Sequence, residues 1–315
     1  MNRTANVVRI GLSAAIVSVA EEVPRVLAVG HEGAADGLPF GPFDPLKHRT
    51  LENGLRSWVR EQTDLDLDYA EQLYTFGDRG RHMMKPAEGP RVVSVGYLAL
   101  VRAVAELTAP DTHWQDWYTF FPWEDWRQTR PIIIDEVILP ALGDFVKADP
   151  AQKTQRRQRV ALCFGHDGIG WDEERVLERY ELLYEAGLVE EAKRDGRSKV
   201  KLSERKLGES MIFDHRRILA TAIARLRGKM KYRPVVFELM PPTFTLLELQ
   251  RTVEAISGVR LHKQNFRRLV EKGQLVEPTG NATVATGGRP AALFRFRREV
   301  LQERPAPGLR LGGRK

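Results

Sequence analysis

Hydrophobic and polar positions near the start of the chain follow an order of two strands and a loop. Residues 7–20 are largely apolar, Glu21 to Pro24 form a turn, and residues 25–30 extend again. This pattern predicts a pair of strands joined by a short turn. Residues 31–41 are rich in glycine and proline and predict a loop.

A helix is predicted next, capped by Thr50 and running to about Thr63. The positions that recur at helical spacing and define its buried face are Leu51, Leu55, Trp58 and Val59. A long apolar strand over residues 91–101 follows, and the aromatic residues 113–121 predict an edge strand.

The middle of the chain, residues 123–206, has a mostly helical pattern. Helices are predicted over 132–146, over 151–164 and from Asp172 to Gly187, and short strands over 188–190 and 198–202. Another helix is predicted up to Lys231, with Asp214 as its cap. Its apolar rows consist of Ile218, Leu219, Ala222, Ile223 and Leu226.

Two short amphipathic helices and two strands are predicted near the C-terminus. Thr245 and Glu248 match a capping box, and Gly258 ends the first helix. The second helix runs from about His262 to Lys272, and a polar, glycine-rich loop over 281–288 separates the two extended segments. The order helix, turn, helix, strand, wing, strand is typical of a winged helix-turn-helix.

The excess of positive over negative charge is confined to this C-terminal part. Residues 241–315 contain 14 Lys and Arg but 6 Asp and Glu, whereas the other 240 residues contain 35 basic and 36 acidic side chains. Because Lys and Arg neutralise phosphates and release counterions, a confined basic module favours nucleic acid as its partner. A basic tail that serves solubility alone is the alternative.

The exposed face of the second helix carries side chains that suit a DNA major groove, where Arg pairs with guanine and Gln or Asn with adenine. At the base of the wing, Arg289 is placed to enter a minor groove, and Arg295 to meet phosphates. The predicted DNA-binding residues are Lys263, Gln264, Asn265, Arg267, Arg268, Arg289 and Arg295. The alternative is that this helix face only contacts solvent. The wing that follows the helix favours double-stranded DNA as the partner instead.

Composition narrows the cellular context. The 315 residues include one cysteine, Cys163, which excludes an intramolecular disulfide and fits a reducing cytoplasm. The longest apolar run, residues 10–20, is shorter than the roughly 20 residues that a membrane-spanning helix needs, so no membrane partner is expected. The glycine- and proline-rich tail, residues 301–315, is predicted to be disordered.

Several short segments occur in the same order as in a known family. They are residues 38–41, 50–65, 75–78, 92–101, 213–215, 225–229, 237–241, 244–246, 265–268 and 288–290. Together they resemble the Nudix-related transcriptional regulators of NAD metabolism, and the middle segment resembles an insertion found in the alphaproteobacterial branch.

The resemblance implies an α+β fold in which a Nudix-like α/β/α sandwich with a mostly helical insertion is followed by a C-terminal winged helix-turn-helix. The expected parts are a Nudix-like domain (1–122), the insertion (123–206), a closing helix and linker (207–231), the winged-helix domain (232–300) and the tail (301–315).

The resemblance departs from the family pattern at the catalytic helix. An active Nudix helix carries Arg-Glu-apolar-x-Glu-Glu, and those carboxylates hold Mg²⁺, a cation that prefers oxygen ligands. Residues 57–62 occupy these six places here, with Trp58 and Gln62 in place of two glutamates, so Glu61 alone remains. We therefore expect no catalytic residue, no metal site and no resident cofactor.

The family resemblance also implies a nucleotide effector, either ADP-ribose, NAD or another adenine nucleotide. Arginine suits a diphosphate because its planar fork binds two oxygens. The residues predicted to bind the effector are Arg49, Arg56, Arg60, Glu61, Asp78, Arg79 and Arg81. Each arginine could instead be a solvated surface side chain, and residues 81–85 depart from the family loop, which leaves the identity of the ligand open.

The leading hypothesis is a cytoplasmic, homodimeric repressor of NAD biosynthesis genes that responds to this effector. One alternative is an active Nudix-type nucleotide-sugar pyrophosphohydrolase with an accessory winged helix. Another is an interaction module whose winged helix binds no DNA. The operator sequence, the direction of the effector response and the role of the insertion stay open.

Overall fold

The computed structural model describes residues 8–78, 91–102, 107–197, 207–283, 290–303 and 305–309. Its main sheet has the strand order β4-β5-β1-β2-β6, with β3 paired to β1. These strands are β1 (Val8–Ala20), β2 (Val23–Val29), β3 (Phe40–Pro42), β4 (Tyr69–Phe76), β5 (Arg91–Leu100) and β6 (Thr112–Asp116). The central pair β1 and β5 is parallel, from Val8 opposite Arg91 to Val17 opposite Leu100.

Both faces of the sheet are covered by other parts of the chain. Strand β1 is therefore apolar at the positions that face either side. Leu12 and Ile16 pack on one face against helix α1 (Leu51–Thr63). Val17 faces the opposite core, which contains Ile218 of helix α7 (His215–Met230). This arrangement is the α/β/α sandwich that the family resemblance implied.

Helix α1 begins as predicted, since the Thr50 hydroxyl accepts a hydrogen bond from the Asn53 backbone N–H at 3.1 Å. Helix α7 differs from its prediction. Asp214 stands at the N-cap position, but its side chain makes no capping bond. Its carboxylate instead pairs with Arg217 at 3.2 Å, one turn into the helix.

The predicted edge strand over residues 113–121 was wrong in its second half. Strand β6 ends at Asp116, and residues Trp117–Phe120 form the short helix α2. The reason is local, because the Asp116 carboxylate accepts a hydrogen bond from the Tyr118 backbone N–H at 2.9 Å and starts a helical turn there.

The insertion is helical. Its elements are a π-helical segment (Ile134–Ile138), α3 (Leu139–Lys147), α4 (Lys153–Phe164), α5 (Val176–Glu185) and α6 (Glu190–Arg194), with short 3₁₀ turns at Pro122–Glu124 and Pro150–Gln152. The strand predicted over 188–190 was wrong, because Val189 precedes helix α6 and is buried. The strand predicted over 198–202 lies outside the described residues.

The insertion is not a separate module. Tyr180 and Leu183 of α5 belong to the same hydrophobic core as Leu219 of α7 and Leu249 of the winged-helix domain. One continuous core therefore joins the insertion, the closing helix and the winged-helix domain. Packing contacts in this core hold the three parts in place relative to one another.

The winged-helix domain contains a 3₁₀ turn (Val235–Glu238), α8 (Leu246–Ser257), α9 (Lys263–Gly273), and the antiparallel strands β7 (Val276–Thr283) and β8 (Ala291–Phe296). Among the described residues, no helix has both the length and the apolar character that crossing a membrane requires.

The prediction of disorder over residues 301–315 was wrong for part of the tail. Val300–Glu303 form a short helix, α10. Leu309 is buried, and its N–H donates to the carbonyl of Met230 at 2.7 Å, at the C-terminal end of α7. A last-turn carbonyl without a helical partner thus gains one from the tail. Residues 310–315 lie outside the described part of the chain.

Candidate nucleic-acid interface and nucleotide site

Helix α9 presents a continuous polar face. Phe266 and Val270 are buried and hold the helix to the domain. The side chains predicted to read DNA from this helix are all exposed, namely Lys263, Gln264, Asn265, Arg267 and Arg268. The guanidinium of Arg268 donates to the Asn265 side-chain oxygen at 3.3 Å, which orients an arginine and an amide side by side on this face.

The strands behind the helix are fixed to the domain by their aromatic residues. The backbones of Phe294 and Phe244 exchange two hydrogen bonds, of 2.9 and 2.8 Å, and the ring of Phe296 stacks on Phe237 with a centroid separation of 4.3 Å. Arg295 points to the other side, where it is 63% exposed and pairs with Glu277 on β7. Arg289 and the wing tip lie outside the described residues.

Helix α8 is closed at its N-terminus by the predicted capping box. The Thr245 hydroxyl accepts from the Glu248 N–H at 3.2 Å, and the Glu248 carboxylate accepts from the Thr245 N–H at 2.6 Å. At the other end Gly258 has φ of 74°. A Cβ at this position would lie 2.4 Å from the Glu124 carbonyl oxygen, so close approach demands glycine as well.

The C-terminal end of α8 is capped by groups from other parts of the chain. The Tyr118 hydroxyl donates to the Ala255 carbonyl at 2.7 Å, and the Arg227 Nε–H donates to the Ile256 carbonyl at 2.8 Å. The backbone N–H of Trp126 donates to the Gly258 carbonyl at 2.7 Å. These donors satisfy carbonyls that a helix end leaves without partners, and the Arg227 charge suits the negative end of the helix dipole.

A buried ion cluster supports this junction. Glu124 binds Arg179 of the insertion at 2.5 Å and Arg227 of α7 at 2.7 Å, and each of the three side chains is at most 1% exposed. Remaining guanidinium protons go to backbone carbonyls, such as that of Cys163 at 2.9 Å. Burial raises the pKa of the adjacent Tyr118 hydroxyl, which keeps it a donor.

Sequence reasoning missed these three charges. The available signal was a charged residue within an apolar helical pattern. Arg227 follows Ile223 at a spacing of four on α7, and Arg179 lies between Val176 and Leu183 on α5. Charged side chains at such positions are rarely fully buried without partners, so each position implied a counter-ion.

The predicted effector-binding residues fall into two groups. Arg56 and Arg60 lie on α1, where Arg56 pairs with Glu52 at 2.8 Å and Arg60 pairs with Asp66. Asp78 lies beside α7 on the opposite face of the sheet, paired with Arg217. Arg49 and Glu61, which belong to the α1 group, are both exposed. Arg79 and Arg81, with the departing segment 81–85, lie outside the described residues.

Trp58 and Gln62, which stand where glutamates were expected, both bind strand β3. The indole N–H of Trp58 donates to the Pro42 carbonyl at 2.8 Å. Its ring covers Gly41, where a Cβ would come within 2.2 Å of the indole. The Gln62 amide accepts from the Phe40 N–H at 3.1 Å and donates to the Phe40 carbonyl at 2.6 Å. Both side chains are therefore engaged in holding the fold.

The chain is similar to known proteins both in its C-terminal part and in its overall fold. Residues 236–296 match the family described as the NrtR DNA-binding winged helix domain. The winged-helix domain is thus similar to that of NrtR. A curated relative, the ADPR responsive transcriptional repressor NtrR of Acinetobacter baylyi, is 44% identical over 93 residues, which are 30% of this chain. The match spans only 37% of the length of that relative.

Solved structures extend the comparison to the whole fold. Shewanella oneidensis NrtR, crystallised with a 27mer DNA, matches with a TM-score of 0.52 at 20% identity, over 93% of this chain and 95% of that one. A MutT/nudix family protein from Enterococcus faecalis matches with a TM-score of 0.53 at 16% identity, over 92% of this chain and 86% of that one.

These matches confirm the resemblance to Nudix-related regulators and the predicted fold, a Nudix-like sandwich followed by an NrtR-type winged helix. The alphaproteobacterial branch is not confirmed by them and remains a prediction.

Proposed function

We propose that this chain is a transcriptional repressor that binds double-stranded DNA through helix α9 and the wing. The observation that carries the proposal is the exposed face of Lys263, Gln264, Asn265, Arg267 and Arg268 on an NrtR-type winged helix. Arginine and amide side chains on a helix of this kind can pair with base edges in the major groove. The Acinetobacter relative is known as a transcriptional repressor, which supports repression as the direction of regulation.

The deciding experiment selects binding sites from a randomised duplex library with the full-length chain. Recovered duplexes that share a sequence, and that shift on a gel at physiological salt, are the expected result. Enrichment of no sequence would contradict the proposal and favour an interaction module whose winged helix binds no DNA.

We further propose that the Nudix-like domain binds ADP-ribose, or else NAD or another adenine nucleotide, and that binding changes DNA affinity. The name of the Acinetobacter relative supports ADP-ribose. Among the described residues, Arg49, Arg56, Arg60 and Glu61 on and beside α1 form one set of candidate ligands, and Asp78 belongs to another. A coupling of about 1–3 kcal/mol between effector and DNA is typical of such linkage.

Calorimetry with ADP-ribose, NAD and ATP separates the two sets. If the effector lies on α1, Arg60→Ala weakens binding and Asp78→Asn leaves it unchanged, while the reverse result places the effector beside α7. Heat from none of the three nucleotides would contradict an adenine-nucleotide effector.

We infer that the Nudix-like domain is not a hydrolase. Magnesium in such enzymes needs several carboxylates, and Trp58 and Gln62 offer an indole and an amide that already bind β3. The residues of this helix therefore do not fit the metal, and no hydrolytic step is assigned to them. The rival function, a nucleotide-sugar pyrophosphohydrolase, requires AMP release from ADP-ribose with Mg²⁺, and release abolished by Glu61→Gln would contradict our inference.

The cellular location, the oligomeric state and the target genes of the chain are proposals as well. We propose a cytoplasmic homodimer that represses genes of NAD synthesis, since helix-turn-helix proteins commonly read paired half-sites. Light scattering of the free chain tests the dimer. Selected sites without two-fold symmetry would contradict paired reading.

A further inference from the structure

The turn between β1 and β2 has an unusual backbone. Its two residues, Glu21 and Glu22, have φ of 52° and 64°. Two-residue hairpin turns with positive φ at both positions normally contain Asn and Gly, which tolerate this conformation. Other residues that adopt this backbone conformation are held in it by their surroundings. Residues with such strained backbone angles are concentrated at functional contacts.

The surroundings of Glu22 are the winged-helix domain and the start of the insertion. Its carboxylate lies 2.5 Å from Arg251 of α8 and 3.8 Å from Arg260 in the turn before α9. Its backbone carbonyl accepts from Arg127 at 2.6 Å. The acidic turn of the Nudix-like domain is thus attached to two arginines of the winged-helix domain.

Both arginines lie close to the parts of such a domain that approach DNA. The first helix of a helix-turn-helix crosses the backbone, and the N-terminal end of the second helix enters the major groove. Arg251 lies on the first helix, and Arg260 lies two residues before His262, the N-cap of α9. Their side chains are 47% and 52% exposed, so a phosphate in solution can reach them.

Glu22 supplies a carboxylate to two exposed arginines, and a phosphate is an anion of the kind that arginine also binds. Arg260 keeps a second carboxylate, Glu254 of its own domain, at 2.7 Å. Of these two carboxylates only Glu22 belongs to the Nudix-like domain, so its contact, unlike that of Glu254, changes when that domain moves relative to α8.

We propose that Glu22 is an anionic clamp that competes with DNA phosphates for Arg251 and Arg260. This inference rests on the proposed function and adds two phosphate-binding residues and a mode of regulation to it. By linkage, any state of the Nudix-like domain that strengthens the clamp weakens DNA binding, and any state that withdraws the turn strengthens it.

The test compares Glu22→Gln with Glu21→Gln in the full-length chain. Glu21 is a matched control, because it has the same charge and the same left-handed backbone, is 86% exposed, and pairs with Arg25 of its own hairpin. Both variants change the net charge equally, so general attraction to DNA is controlled. Binding to a mixed-sequence duplex is measured by fluorescence anisotropy over a salt series.

We expect Glu22→Gln to bind the duplex several-fold more tightly than Glu21→Gln. Each new phosphate contact steepens the slope of log affinity against log salt by about 0.9, so two contacts add about 2. In a chain that also carries Arg251→Gln and Arg260→Gln, the Glu22→Gln change should lose its effect. Thermal melts show whether the variants share the same fold.

Equal affinities of the two glutamine variants, or weaker binding by Glu22→Gln, would overturn the clamp and leave the proposed function intact. Absence of duplex binding by the natural chain and by Glu22→Gln alike, at low salt, would overturn the proposed function itself.

Discussion

Gln62 joins helix α1 to strand β3 through both ends of its amide. The amide oxygen accepts from the Phe40 N–H and the amide nitrogen donates to the Phe40 carbonyl, so the side chain pairs with β3 as a neighbouring backbone amide would. A carboxylate at this position would accept from the Phe40 N–H but would repel its carbonyl oxygen. The amide therefore gives the helix a structural contact that a carboxylate at this position could not make.

Gln62→Ala should lower the free energy of unfolding by about 2 kcal/mol, since two partly buried hydrogen bonds are lost at about 1 kcal/mol each. Chemical denaturation measures the change. Ser57→Ala is the control, because Ser57 is exposed on the same helix and its hydroxyl donates to the Asn53 carbonyl of the preceding turn. Equal losses for the two variants would contradict a bridging role for Gln62.

Glu71 joins β4 to α7 through Lys229. Burial alone would raise the pKa of Glu71, but hydrogen bonds from Lys229 and Tyr69 and the charge of Lys229 outweigh it, so the pKa lies below its usual 4.5. A carboxyl group with a lowered pKa contributes stability that is fully present above pH 4.5. That contribution is lost as the pH falls through the folded-state value.

The natural chain should therefore exceed Glu71→Gln in free energy of unfolding at neutral pH, and the difference should shrink as the solution is acidified below pH 4.5. Urea titrations at a series of pH values measure it. Thr75→Ala, a change at an exposed position of the same strand, should differ from the natural chain by the same amount at every pH. A constant difference for Glu71→Gln would exclude the linkage.

At the scale of elements, local rules predicted the helices with clear termini. The Thr50 cap, the capping box of Thr245 and Glu248, and the stop at Gly258 all involve residues close in sequence. Some predictions failed because distant contacts decide the outcome. Val189 has a strand-like sequence but packs in the insertion core, and Leu309 is ordered by the end of α7.

Helix α9 offers an element-scale prediction. Arg268→Ala should reduce binding to the selected site by about 1–3 kcal/mol and affect a mixed-sequence duplex much less, because a base contact is lost. Lys272→Ala, in the last turn of the same helix, should weaken both duplexes alike. Anisotropy titrations with the two duplexes measure the difference. Equal effects of Arg268→Ala on both would remove Arg268 from the base-reading set.

At the scale of the whole molecule, the ligand-site prediction drew on sequence neighbours, which the fold divides into two groups. Arg60 and Asp78 were grouped together, yet the sheet places them on opposite faces. The junction of Glu124, Arg179 and Arg227 was missed for the related reason that its members are 48 to 103 residues apart in the chain. No periodicity connects such distant charges.

This junction makes the insertion part of the link between the two domains. Arg179 holds Glu124, Glu124 holds Arg227, and Arg227 caps the end of α8 beside the turn that leads to α9. Two cations share one buried carboxylate, so the carboxylate cannot be neutralised without leaving buried charge behind. The three regions should therefore unfold together in one cooperative transition.

Glu124→Gln should lower the free energy of unfolding by about 3–5 kcal/mol, because it removes the counter-ion of two fully buried arginines. Glu190→Gln, which breaks an exposed pair with Lys193, should cost about 0–1 kcal/mol. Hydrogen exchange locates the loss, since the Trp126 amide that binds the Gly258 carbonyl should exchange faster in Glu124→Gln than in Glu190→Gln. If that amide stays equally protected in both variants, the buried cluster does not hold the winged-helix domain in place, and the insertion stabilises only itself.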